Sequence, residues 1–182
     1  MSTRGLYGFY KNGVNKLTYN HSDSYPSGLG NNILSFLKNM DINELNNIFD
    51  NIQLVDESDY PNGEEEKQIK ELGYSINYRN KKEDWFGILA SSLGDISVYK
   101  EGLMYMLDYN DFIFDGLNCE WAYIINLDDN CLEIYKGLYD YIGVGRYAEG
   151  LSCNNYFGCT LIESIKLDCI HFIDSLEKYL DC

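Results

Sequence analysis

The segment Glu120-Trp121-Ala122-Tyr123-Ile124-Ile125-Asn126-Leu127, then Asp128-Asp129-Asn130, then Cys131-Leu132-Glu133-Ile134-Tyr135, constrains the fold more than any other stretch. Aromatic and β-branched residues fill both flanks, and three polar residues separate them, so the segment reads as a β-hairpin with an exposed turn. A second hairpin is predicted at the other end of the chain. There Gly5 to Tyr10 alternates and is rich in aromatics, Lys11-Asn12-Gly13 carries a turn signal, and Val14 to Tyr19 returns.

Between and after the hairpins the spacing is helical. Ile33, Leu34, Phe36 and Leu37 repeat at helical intervals, and Asp41 with Glu44 forms a capping box before Ile42, Leu45, Ile48 and Phe49. The acidic stretch 56–66, with Pro61-Asn62-Gly63, reads as an exposed loop leading into a helix near Glu64–Leu72 that Gly73 ends. Lys81 to Leu93 predicts another helix, with Trp85, Phe86, Leu89 and Leu93 on its apolar side. From Ile96 to Phe114 helix and strand patterns compete. Thr160 with Glu163 makes a second capping box, and Leu161, Ile165, Cys169, Phe172, Ile173, Leu176 and Leu180 form a stripe that predicts a long helix over 160–180. The expected fold is α+β: an antiparallel sheet built on hairpins at 5–20 and 119–136, covered by helices including the carboxy-terminal one.

A chain of 182 residues that is 45% apolar and 15% aromatic can bury one substantial core, and it contains two prolines and no linker, so residues 1–182 are expected to form one domain. No stretch approaches the roughly 20 apolar residues that span a bilayer, and no signal-like start is visible, which predicts a cytoplasmic protein with no membrane partner. Net charge is -15, from 29 acidic and 14 basic residues. Such a surface repels phosphate backbones, so direct nucleic-acid binding is not expected, whereas a host protein with a basic surface is a suitable partner. Solubility alone is the plainer reading of the same charge.

Six cysteines, at 119, 131, 153, 159, 169 and 182, are expected to be thiols, because a chain this long needs no staples. Cys119 and Cys131 fall on paired strands, and Cys169 lies on the apolar helix face; all three read as small buried hydrophobes. No Cys-x-x-Cys spacing occurs and the histidines are His21 and His171, so neither a metal nor another cofactor is expected.

One polar constellation reads as a site. Arg4, one of three arginines, precedes the first hairpin, and His21, Asp23 and Tyr25 follow it, so the return of the hairpin predicts that the two segments meet. A guanidinium suits a carboxylate or phosphate, which allows either an Arg4–Asp23 ion pair that fixes the loop or an anion clamp. His21 and Tyr25 have the chemistry for proton transfer, and loop capping is the commoner use of such groups. Glu120 and Arg146 are the further expected neighbours.

Thr3-Arg4, the hairpin, and Tyr19, His21, Asp23 and Tyr25 followed by Gly28 and Gly30 resemble a family of small proteins encoded by bacteria and their phages, marked by a Tyr-x-His-x-Asp-Gly-Tyr motif. Ser24 stands here where the family carries glycine. Glu120-Trp121-Ala122-Tyr123 and Gly145-Arg146-Tyr147 extend the resemblance. It implies a non-enzymatic anti-defence role: inhibition of a host defence component (an anti-CRISPR role or another of that kind) through an acidic, aromatic-rich surface, or sequestration of a nucleotide-like signalling molecule. No P-loop, G-x-G-x-x-G, G-x-S-x-G or H-E-x-x-H motif is present. The enzymatic alternative is an amino-terminal-nucleophile hydrolase using Ser2 after removal of Met1.

Overall fold

The computed structural model describes residues 3–79, 81–138, 143–149 and 157–181. Its main sheet has the order β2 (Val14–Asn20), β1 (Gly5–Lys11), β7 (Trp121–Asn126), β8 (Cys131–Lys136), β9 (Thr160–Lys166). Strands β1 (Gly5–Lys11) and β2 (Val14–Asn20) form the amino-terminal hairpin. Its two turn residues, Asn12 and Gly13, both take positive φ (51° and 79°), the backbone that matches the twist of a two-residue hairpin loop. Strands β7 (Trp121–Asn126) and β8 (Cys131–Lys136) form the central hairpin, whose turn is closed by Asn126 Oδ1 accepting the Asp128 and Asp129 amides at 3.0 and 3.1 Å.

The α+β class holds, but the seam between the hairpins is parallel, with Gly5 opposite Trp121 and Tyr10 opposite Asn126. The expected antiparallel sheet is corrected at this seam. Some hundred residues separate β2 from β7, so nothing local dictates their relative direction. Because the seam is parallel, both hairpin tips lie at one end, and the Asn12 amide donates to the Asp128 carboxylate at 3.0 and 2.9 Å.

A larger correction falls at the carboxy-terminal end. The predicted helix 160–180 is a strand, β9 (Thr160–Lys166), then a 3-10 segment (Leu167–Phe172) and a short helix (Leu176–Leu180). The apolar spacing fits either period. The open edge of β8 decides it, because pairing supplies a full row of backbone hydrogen bonds and still buries Ile165, at the cost of a bulge opposite Ile134 and Tyr135. Phe172, assigned to the buried stripe, is 86% exposed, and Cys169 is exposed as well.

Helices α1 (Asn31–Leu37) and α2 (Ile42–Asn51) follow the expected spacing, and the Asp41–Glu44 capping box is formed reciprocally. So does α3 (Gly63–Glu71), capped by Asn62 and Glu65. The predicted helix 81–93 is shorter: β5 (Lys81–Lys82), paired with β4 (Asn77–Tyr78), precedes α4 (Trp85–Leu89), and a 3-10 turn spans Ala90–Ser92. The competing patterns after Ile96 resolve into α5 (Ser97–Lys100), β6 (Tyr105–Leu107) and a 3-10 turn (Asn110–Phe114). Strand β6 pairs in parallel with β3 (Gln53–Val55), which the sequence reading did not contain. The last helix, α6, is Leu176–Leu180.

The main sheet is covered on both faces. Tyr7, Phe9, Tyr123, Ile125, Leu132 and Ile134 pack beneath α1 and α2 with Ile33, Leu34 and Phe49; each fully buried side chain of this size contributes about 1.5–3 kcal/mol. On the opposite face Leu6, Leu17, Ile124 and Tyr135 meet Ile113, Tyr147 and Cys159. Cys119 and Cys159 are buried free thiols and near neighbours, the Cys159 thiol donating to the Cys119 carbonyl at 3.2 Å. Cys119 precedes β7 and neighbours Cys159, whereas Cys131, opposite Asn126, sits at the other end of the β7–β8 ladder. No helix among the described residues is long and apolar enough to cross a membrane.

Candidate functional site

The loop after β2 is organised by its backbone. Asp23 adopts a left-handed φ of 56°, and its carbonyl accepts the Leu29 amide at 2.9 Å. The Tyr25 carbonyl accepts the Gly28 and Gly30 amides at 3.0 and 3.2 Å, closing a wide π-helical turn over Pro26–Gly30. A Cβ on Gly28 would stand 2.3 Å from the Asp23 carbonyl oxygen, so only glycine fits there. Gly28→Ala is expected to destabilise the chain by about 3 kcal/mol, read as a lower urea midpoint, while Ser27→Ala leaves the midpoint unchanged. Equal midpoints for the two variants would show that the turn yields freely.

Ser24 is fully buried. Its hydroxyl accepts from Asn20 Nδ2 at 2.7 Å, its carbonyl accepts the Tyr123 hydroxyl at 3.0 Å, and its amide donates to the Thr3 carbonyl at 3.2 Å. A Cβ on Gly5 would meet the Ser24 side chain at 2.8 Å, so this serine fills space that Gly5 leaves open. The position is structural.

Arg4 finds its partners elsewhere than Asp23. Its guanidinium donates to Asn118 Oδ1, its amide reaches Glu120 Oε1 at 3.4 Å, and its carbonyl accepts the Glu120 amide at 3.0 Å. Among the described residues no ion pair joins Arg4 to Asp23. Beside Arg4, Tyr19 packs edge-on to Phe112 at 5.3 Å and tilted against Tyr109 at 5.4 Å, with its hydroxyl 3.4 Å from His21 Nδ1. Burial pushes the Tyr19 phenol up, and the Arg4 charge opposes that shift. Arg4, Glu120, Tyr19 and His21 thus belong to one neighbourhood, whereas Tyr25 lines a different cleft with Trp121.

Arg146 belongs to a third. It pairs with the buried Glu133 and lies 3.7 Å from the Tyr10 ring centroid. Tyr10 is six strand residues from Arg4, roughly 20 Å along β1. Glu133 also accepts from Asn126 Nδ2 at 2.7 Å and from the Tyr135 hydroxyl at 2.9 Å, and Tyr147 donates to Asn15 Oδ1 at 2.6 Å. Ser2 lies outside the described residues.

The structure also assembles an acidic face around the stretch 56–60, joined by residues distant in the chain. Loop 56–60 is tied to α4 by the Trp85 and Phe86 amides, which donate to the Asp59 and Glu57 carbonyls at 2.9 and 3.0 Å. The Asp108 amide donates to the Val55 carbonyl at 3.0 Å, and the Tyr109 hydroxyl donates to the Glu57 carboxylate. Asp56, Asp108 and Asp111 consequently rim one open cleft of about 530 Å³ with Tyr109 and Phe112. Ser58 donates from hydroxyl and amide to Asp56 and holds that carboxyl below its ordinary range. The adjoining segments expose two rings: Tyr60, in loop 56–60, is 58% exposed, and Phe86, whose amide donates to the Glu57 carbonyl, is 45% exposed. The sequence signal was the acidic run itself, read as a solvated face. Only the β3–β6 pairing brings Asp108 and Asp111 to it.

Among the described residues no group of three or more His, Cys, Asp or Glu is placed to hold a metal ion. No protein-family model, curated protein or solved structure matches the chain.

Proposed function

We propose that this chain is a non-enzymatic binding protein that occupies a basic surface of another protein, in the anti-defence manner of small phage-type proteins. The observation that carries the reading is the acidic cleft rimmed by Asp56, Asp108 and Asp111, adjoining a loop that carries Glu57, Asp59 and exposed Tyr60 and is hydrogen-bonded to the backbone of exposed Phe86. Aromatic anchors surrounded by charge are the usual makeup of a recognition patch: the rings supply desolvated contact, and the carboxylates set orientation and rate of encounter. The phage context is drawn from the resemblance at Thr3-Arg4 and Tyr19 to Tyr25.

The structure selects which carboxylates to test. Glu65 caps α3 and Glu66 is bridged to Lys82 at 2.9 Å, so reversing either would disturb the fold. Asp59, Glu64 and Asp111 are exposed and hold no neighbour through a side-chain hydrogen bond or ion pair among the described residues. The partner captured from host lysate should bind the Asp59→Lys, Glu64→Lys, Asp111→Lys triple variant at least about tenfold more weakly, and rising salt should weaken the unaltered chain. Binding that ignores both salt and charge reversal would sink the reading.

A further inference from the structure

We infer that the cleft between the Pro26–Gly30 turn, the Trp121 end of the sheet and α6 is a receptor for an alkylammonium group, the head of a lysine side chain or of a free amine. This is a different surface from the acidic face of loop 56–60, and the inference does not depend on it. The cleft encloses about 510 Å³ and has three aromatic walls, Tyr25, Trp121 and Tyr179. Tyr25 and Tyr179 are 43% and 41% exposed, so their rings are open to an incoming group rather than consumed by the core. Glu163, Glu177 and Asp181 also line it, with Lys136 as their one basic counterpart there.

Two features say that the ligand is a cation. Ring faces carry negative quadrupole potential, and three carboxylates against one ammonium leave the cleft with an excess of negative charge, which excludes a phosphate-bearing stacker. The second is already present in the fold. Lys136, which faces Trp121 across β7 and β8, holds its ammonium 5.2 Å from the Trp121 ring centroid. The chain thus shows the recognised group in place: Lys136 is an internal occupant that an external ammonium displaces. Glu177, in α6, and Asp181, which caps its carboxy-terminal end, are four residues apart and both line the cleft, and so can attend the same head group.

Trp121 provides the readout. The other tryptophan, Trp85, is 2% exposed and packs on Tyr105 in the core at 4.6 Å between centroids. Titration of the full chain with N-acetyl-lysine methylamide and with n-pentylammonium should give a saturable change in tryptophan emission, lost in Trp121→Phe. Tighter binding of the lysine probe assigns a polypeptide partner; equal binding assigns a free amine. Lys136→Ala should tighten either probe about two- to fivefold by removing the internal competitor, and Glu177→Gln should weaken it by a similar factor. Adenosine monophosphate, the contrasting probe, should leave the emission unchanged. The inference is overturned if neither amine gives a saturable change, if Lys136→Ala weakens amine binding, or if the nucleotide binds in place of the amines.

Discussion

Between pH 10 and pH 12 the protein is expected to lose several kcal/mol of stability. Tyr7, Tyr99 and Tyr123 sit in the core, and burial pushes each phenol well above its ordinary value of 10.0. Such a group retains its proton in the folded state where the unfolded chain releases it. The stabilising effect is therefore complete below pH 10 and is lost as pH rises from there toward the folded-state values. Each phenol contributes about 1.4 kcal/mol per pH unit in that window, and Tyr7 and Tyr99, which share a hydrogen bond, titrate as a pair rather than independently. Three such groups approach the whole stability of an ordinary domain, about 5–15 kcal/mol, within two pH units. Urea midpoints measured from pH 8 upward should be flat to pH 10 and then fall steeply, with tyrosinate absorbance appearing together with unfolding. A native signal that persists while most tyrosines ionise would contradict the burial argument. Tyr123→Phe should flatten the fall by one group's share.

Those tyrosines show what the sequence could and could not disclose. Both hairpins were legible because a turn signal and a two-residue period coincide, and α2 and α3 because their caps are written in adjacent residues: Asp41 with Glu44, Asn62 with Glu65. The strand at 160–166 was not legible. Leu161, Ile165 and Cys169 recur at intervals that suit a helix, and the deciding fact, an unpaired edge on β8, is created only when the sheet assembles. The parallel seam at Gly5 and Trp121 escaped for the same reason. Around Arg4, the assumption that both hairpins share one sheet foretold Glu120 as a neighbour, and the return of the first hairpin foretold His21. The hairpin's return also suggested Asp23 as the arginine's partner, yet Asn118 takes that place, because Asp23 turns left-handed to close the Pro26–Gly30 turn with its carbonyl. Arg146 was singled out by its residue type and by the Gly145-Arg146-Tyr147 resemblance. Its true partner, Glu133, reads in the sequence as an ordinary polar position in an amphipathic strand.

Removing Glu133 is expected to cost about 3 kcal/mol, the lower end of the range for breaking a buried pair, because Arg146 is partly exposed. The carboxylate is 6% exposed and has three partners: the Arg146 guanidinium, Asn126 Nδ2 and the Tyr135 hydroxyl. Glu133→Ala leaves the Arg146 cation without its countercharge and the Tyr135 hydroxyl without its acceptor, on a strand flanked by partners on both sides, while the Asn126 amide keeps Asp129 at 3.0 Å. Arg146→Ala should cost less by urea unfolding at neutral pH, because Asn126 and Tyr135 still donate to the carboxylate. It also removes the stacking on Tyr10, so segment 143–149 should become easier to cleave with protease. Glu133→Gln separates charge from shape. The amide oxygen still accepts from one neighbour, but the ion pair is gone, so the loss should fall between those of alanine and the unaltered chain. Combining Glu133→Gln with Arg146→Met should restore part of that loss, since the pair is then replaced by groups that need no countercharge. Additive losses in the double variant would mean that Glu133 and Arg146 act separately, and that the sheet's second face is held by Tyr135, Tyr147 and their apolar neighbours alone.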